Sequence, residues 1–98
     1  MFRHVVLLKW SRELERDELE KIRGLLDVLG STAPSIRHFS HGPDVGLSPF
    51  DGDYALIADF DDAEGWRAYN TDPAHLAVRA VLKPLTAENL VVQFQAQR

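Results

Sequence analysis

Cysteine is absent from the chain. That excludes disulfide staples, thiolate nucleophiles and cysteine-based metal sites together, and it fits a reducing compartment. No apolar run approaches the ~20 residues needed to cross a bilayer. The opening Met1 to Lys9 has neither the long apolar stretch nor the small-residue cleavage site of a signal peptide. The expectation is a cytoplasmic protein without a membrane partner. Basic residues are few and dispersed, 11 Lys and Arg against 15 Asp and Glu, for a formal net charge of −4. Nucleic-acid binding needs a concentrated positive footprint, so it is not expected. The chain also lacks a glycine-rich phosphate loop, and none of its serines sits in a nucleophile-elbow sequence. Internal repeats, linkers and low-complexity tracts are missing too.

What remains is one domain, residues 1–98, able to bury roughly two-thirds of its unfolded surface. Phe2 to Trp10 alternates, with Phe2, His4, Val6, Leu8 and Trp10 on one face and Val5 and Leu7 on the other. Apolar residues on both faces predict a strand covered on both sides. From Glu15 to Leu29 the period becomes helical, with Leu19, Ile22, Leu26 and Leu29 in one stripe and charges opposite. Gly30 suits a helix stop with Pro34 beyond it. Gly24, mid-helix, suggests close packing of that helix on a sheet. Residues 35–42 read as a second strand, 43–52 as a long turn-rich loop, and 53–60 as a third strand. A short helix over 62–69 presents Ala63, Trp66 and Tyr69 on one side. Asp72 as cap and Pro73 at the first helical position restart a helix to about Lys83, expected to bury Leu76, Val78, Ala80 and Val81 or Leu82. Residues 89–95 form the last strand, with Leu90, Val92 and Phe94 on one face.

Strand, helix, two strands, helix, strand is the split βαβ order of a ferredoxin-like α+β unit with a four-stranded antiparallel sheet. Helices cover one sheet face. No segment is left to cover the other, so a second copy of the chain is the expected cover, two facing sheets making an α/β barrel. The acidic stretch Asp59 to Glu64 reads as a helix start rather than a cation site. His38 and His41, three apart on a strand, point to opposite faces and cannot chelate one ion. No metal and no cofactor is expected.

Four segments carry a resemblance: His4-Val-Val-Leu-Leu-Lys9, Gly42-Pro-Asp-Val45 before the loop, Asp53-Tyr54 opening the third strand, and Tyr69 followed by Pro73-Ala-His75. In this order and at this spacing, the chain resembles the stress-responsive α/β-barrel (Dabb) family of small dimeric ferredoxin-like domains. Many members carry a His-Pro-x-His run before the second long helix. Here Asp72 replaces its first His, and His75 keeps the second. The family includes plant polyketide cyclases of the olivetolic acid type. What that resemblance implies is a site of His4, Tyr69 and His75. His75 would be the base that removes a proton next to a ketone, with Tyr69 and His4 positioning and polarising the substrate. Carbon–carbon closure by an intramolecular aldol would follow, without cofactor or metal.

The residues themselves are compatible with that site. His75 would be third in its helix, where the dipole disfavours the imidazolium, and neutral imidazole is the usual base near neutral pH. A tyrosine hydroxyl is an uncharged donor for a developing enolate. Trp66 joins these three as a ligand-binding residue. Equally, a histidine on an apolar strand face is often a hydrogen-bonded core residue, and Tyr69 can be a core aromatic with a rim hydroxyl. Three readings therefore stand: a homodimeric domain that binds a small apolar or aromatic molecule, a cofactor-free cyclase or isomerase, and a purely structural dimer.

Overall fold

A computed structural model describes residues 1–49 and 52–97. The elements run β1 (Phe2–Trp10), α1 (Arg16–Thr32), β2 (His38–Pro43), β3 (Tyr54–Phe60), α2 (Ala63–Asn70), α3 (Pro73–Leu82), a 3-10 turn (Lys83–Leu85) and β4 (Thr86–Gln95). The four strands form one antiparallel sheet in the order β2-β3-β1-β4. This is the ferredoxin-like α+β arrangement expected from the chain order.

Register fixes which side chains share a face, because directly paired residues point the same way. His4 pairs with Ala58 and Gln93, Val6 with Leu56 and Val91, Leu8 with Tyr54 and Asn89. On the helix-covered face Leu8, Tyr54, Leu56, Ala58 and Phe60 meet Ile22, Leu26 and Leu29 of α1, Tyr69 of α2 and Val78 of α3. The opposite face carries Val5, Leu7, Ile57, Leu90, Val92 and Phe94, and all but Val5 of these are exposed. At its margin Arg3 donates to both Asp59 oxygens at 2.7 and 2.8 Å and lies 5.9 Å over the Phe94 ring. Within one chain this sheet stays open and no barrel closes.

Several boundaries differ from the sequence reading. α1 does not stop at Gly30 but runs on to Thr32. Gly30 has a steric reason instead: a Cβ there would run into the Phe39 ring. Gly24 meets nothing within 4 Å, so close packing does not account for it. β2 begins only at His38, and β4 starts already at Thr86, once Pro84 has been absorbed in the 3-10 turn. On α3 Leu76 and Ala80 are exposed, while Ala74, Val78, Val81 and Leu82 face the core. Positions 74, 78, 81 and 82 follow a helical stripe; 76, 78 and 80 follow a strand's period and cannot share a helix face.

Candidate functional site

Three elements, β1, α2 and α3, bring His4, Trp66, Tyr69 and His75 together. β1 presents His4 on the helix side, opposite the small Ala58, which leaves room for an imidazole; the residue is 6 % exposed. Asp62 caps α2 by accepting from the Gly65 N–H at 3.0 Å. One turn apart on that helix, Trp66 and Tyr69 project onto the same side. Asp72 accepts from the Ala74 N–H at 2.8 Å, and with Pro73 next it starts α3 so that His75 falls in the first turn. The Tyr69 and His75 rings are 4.4 Å apart between centroids, Tyr69 and His4 6.2 Å, His4 and Trp66 6.0 Å. Phe2 and Phe60 close the aromatic surround, 6.5 Å from Trp66 and 5.2 Å from Tyr69.

Burial sets the electrostatics. Desolvation holds His4 below the ordinary imidazole value, and the nearby His75 adds to it. Desolvation also holds His75 down, against a hydrogen bond to the Asn70 carbonyl that favours its proton. The Tyr69 hydroxyl is pushed up to about 12 by burial, so it remains a neutral donor at any ordinary pH. His75 Nδ1 lies 3.1 Å from the Asn70 carbonyl oxygen. A carbonyl can only accept, so Nδ1 carries the proton and neutral His75 keeps a bare Nε2. His4 Nδ1 lies 2.9 Å from the amide nitrogen of Gln93 on β4. Among the described residues no hydrogen-bond partner reaches the Tyr69 hydroxyl, the His75 Nε2 or the Trp66 Nε1, and the last of these is fully buried. Gln93 and Asn70 were not anticipated from the sequence. Only the β1–β4 register could have placed Gln93 beside His4.

Other polar groups lie elsewhere. His41, on the helix side of β2, joins Tyr54 Oη to Asp27 of α1, 2.7 Å from each. Of the acidic stretch, Asp62 caps α2 as expected. Asp59 and Asp61 instead form bidentate pairs with Arg3 and Arg37. Among the described residues no group of three His, Asp or Glu side chains could hold a metal ion. Among the described residues no helix is long and apolar enough to cross a membrane. One open concavity of about 590 Å³ is lined by Trp10, Leu14, Leu19, Pro43 and Asp53, a second of about 690 Å³ by Leu7, Lys9, Ala87 and Leu90. Neither includes His4, Trp66, Tyr69 or His75.

Comparison with known proteins sets this geometry in context. No curated protein matches the chain. Among solved structures, a dimeric ferredoxin-like protein of unknown function from Thermobifida fusca is 33% identical with a TM-score of 0.90, over 97% of this chain and 90% of that one. A hydroxynitrile lyase from Passiflora edulis superposes with a TM-score of 0.81 at 18% identity, over 95% of this chain and 90% of the lyase. SnoaB, a cofactor-independent oxygenase from Streptomyces nogalater, does so with a TM-score of 0.76 at 16% identity, over 99% and 93%. At those identities the two enzymes share the fold, and one fold hosts unrelated chemistries. The family model described as Stress responsive A/B Barrel Domain (Dabb) matches residues 2–96, and the chain therefore belongs to that family.

Proposed function

We propose that this protein is a homodimeric Dabb domain that binds a small aromatic or apolar molecule bearing a carbonyl or carboxyl oxygen, between sheet and helices at His4, Trp66, Tyr69 and His75. The observation that carries this reading is the set of polar atoms left without protein partners inside an aromatic surround: the Tyr69 hydroxyl, Trp66 Nε1 and His75 Nε2. Of the three only Trp66 Nε1 is wholly buried, and a donor kept from water without a partner costs about 1–3 kcal/mol. A ligand oxygen would recover that cost, while the rings of Phe2, Trp66 and Phe60 would cover the ligand's apolar part. Two facing sheets would form the dimer, with the sites on its outer, helix-covered sides.

A second reading, a cofactor-free cyclase or isomerase, draws on His75 in particular. Its Nδ1–H is tied to Asn70, its Nε2 is bare, and its pKa is lowered by burial, as a neutral base requires. His75 would remove a proton next to a ketone, while the neutral Tyr69 hydroxyl would donate to the oxygen where charge develops.

Thermal-shift titration with acetophenone, an enolisable aromatic ketone, and with benzoate tests the binding reading. Wild type should be stabilised. Tyr69→Phe should weaken binding about five- to tenfold, the value of one hydrogen bond. Absence of any shift with both probes would count against the site. Deuterium exchange at the acetophenone methyl group separates the second reading. Exchange that His75→Ala abolishes while binding persists marks a transition-state role, and binding without exchange leaves the first reading alone.

A further inference from the structure

We propose that Gln93 is a positioning residue of this site: its side-chain amide fixes His4 in the tautomer that carries its proton on Nε2. The role of a donor at the site rests on the binding reading above; the tautomer itself does not. The amide nitrogen of Gln93 is 2.9 Å from His4 Nδ1. An amide N–H₂ can only donate, so Nδ1 must accept, and in the neutral ring the proton goes to Nε2. His75 is fixed the opposite way by the Asn70 carbonyl, with Nδ1 protonated and Nε2 bare. Two imidazoles that look alike in the sequence are thereby made unlike. His4 becomes a donor and His75 an acceptor, with Tyr69 between them at 6.2 and 4.4 Å. His4 thereby joins Tyr69 as a donor to a ligand oxygen, while His75 is left to accept from an adjacent acidic hydrogen.

The geometry also shows why the amide comes from β4. His4 and Gln93 are direct cross-strand partners, so their side chains rise side by side on the helix face. β4 is the edge strand, and Gln93 is exposed while His4 is buried. The amide thus reaches Nδ1 from the edge of the sheet and leaves the other ring nitrogen without a partner among the described residues. A structural role alone, satisfying one nitrogen of a buried histidine, would be met equally by an acceptor facing a protonated Nδ1. What distinguishes the positioning role is the identity of the tautomer.

Ring ¹⁵N–¹H correlation NMR at neutral pH reads that tautomer with no ligand present. In the wild-type protein His4 should show a protonated Nε2 and a bare Nδ1. A protonated Nδ1, as an amide turned with its oxygen toward the ring would give, overturns the proposal. Gln93→Glu presents only acceptors, so it should move the proton to Nδ1 or charge the ring, whereas Gln93→Leu should leave the two tautomers mixed. An unchanged His4 spectrum in both variants overturns the assignment to Gln93. Because Gln93 is exposed, both variants should fold, and their circular dichroism should match wild type. With acetophenone as probe, Gln93→Glu should bind about tenfold more weakly than wild type, as Tyr69→Phe does. Equal affinity together with a switched tautomer overturns the positioning role. A wild-type protein that shows the expected tautomer yet binds neither acetophenone nor benzoate overturns the binding reading instead, and the tautomer lock is then judged on the spectra alone.

Discussion

Leu90→Asp should dissociate the dimer while leaving the protomer folded. The open sheet face leaves Leu7, Ile57, Leu90, Val92 and Phe94 exposed by 44, 37, 63, 53 and 47 %. Fully burying one such side chain contributes ~2 kcal/mol. Covering these five contributes roughly 5 kcal/mol per protomer and roughly 10 kcal/mol per symmetric dimer. That is comparable with the ~4–15 kcal/mol that association costs in lost freedom, so the dimer depends on every one of them. Leu90→Asp removes about 1.3 kcal/mol of this gain per copy. It also places two carboxylates in an apolar seam, where each lacks a partner. A total loss above ~4 kcal/mol weakens association about a thousandfold. Sedimentation velocity at micromolar concentration should show a dimer for wild type and a monomer for Leu90→Asp, with matching circular dichroism. Leu76, 48 % exposed on α3, is the control, and Leu76→Asp should leave the dimer intact. A monomeric wild type, or an undiminished dimer of Leu90→Asp, would refute the reasoning.

The two glycines of α1 should respond in opposite directions. Gly24→Ala has free space around it and should stabilise by ~1 kcal/mol in urea unfolding, whereas Gly30→Ala meets the Phe39 ring and should destabilise by roughly 1–3 kcal/mol. Burial, above all, places His4 and His75 below the ordinary imidazole value of 6.5, so the unfolded chain takes up their protons first. Their contribution is complete above about 6.5 and is lost as the pH falls below it toward their folded values. The melting temperature should therefore drop between pH 7 and pH 5, less steeply in His75→Asn, and identical slopes would contradict the burial of His75. Tyr54→Phe removes the hydroxyl 2.7 Å from His41 Nδ1 and should cost about 1 kcal/mol in urea unfolding, by loosening the bridge from α1 to the edge of the sheet.

The architecture was legible because its signals are local. Alternation in Phe2–Trp10 and the stripe Leu19, Ile22, Leu26, Leu29 each state a period within a few residues of chain. Parity along β1 placed His4 and Trp10 on one face, and Asp72-Pro73 located the start of α3. What escaped depends on contacts between distant segments. Gly30 looked like a helix stop because the Phe39 ring that requires it lies on another element. Gln93 carries no signal of its own in the sequence, since only pairing with β1 sets it beside a histidine. The Tyr54–His41–Asp27 chain joins β3, β2 and α1, and no spacing in the sequence announces it.

The alternation of β1 couples two properties that are usually free to vary separately. His4 faces the helices, and its neighbours Arg3 and Val5 face the open side. Inserting or deleting one residue between Phe2 and His4 would exchange these roles downstream of the change. The imidazole would be carried into the seam between protomers, and apolar side chains would take its place among the rings. Binding and assembly would then fail together, from a lesion that leaves composition and helix content almost untouched. The exposed loop residues Val45 to Leu47 stand in neither arrangement, and changes of length there should leave both intact. Length variation among natural relatives should accordingly collect in that loop and spare the first strand.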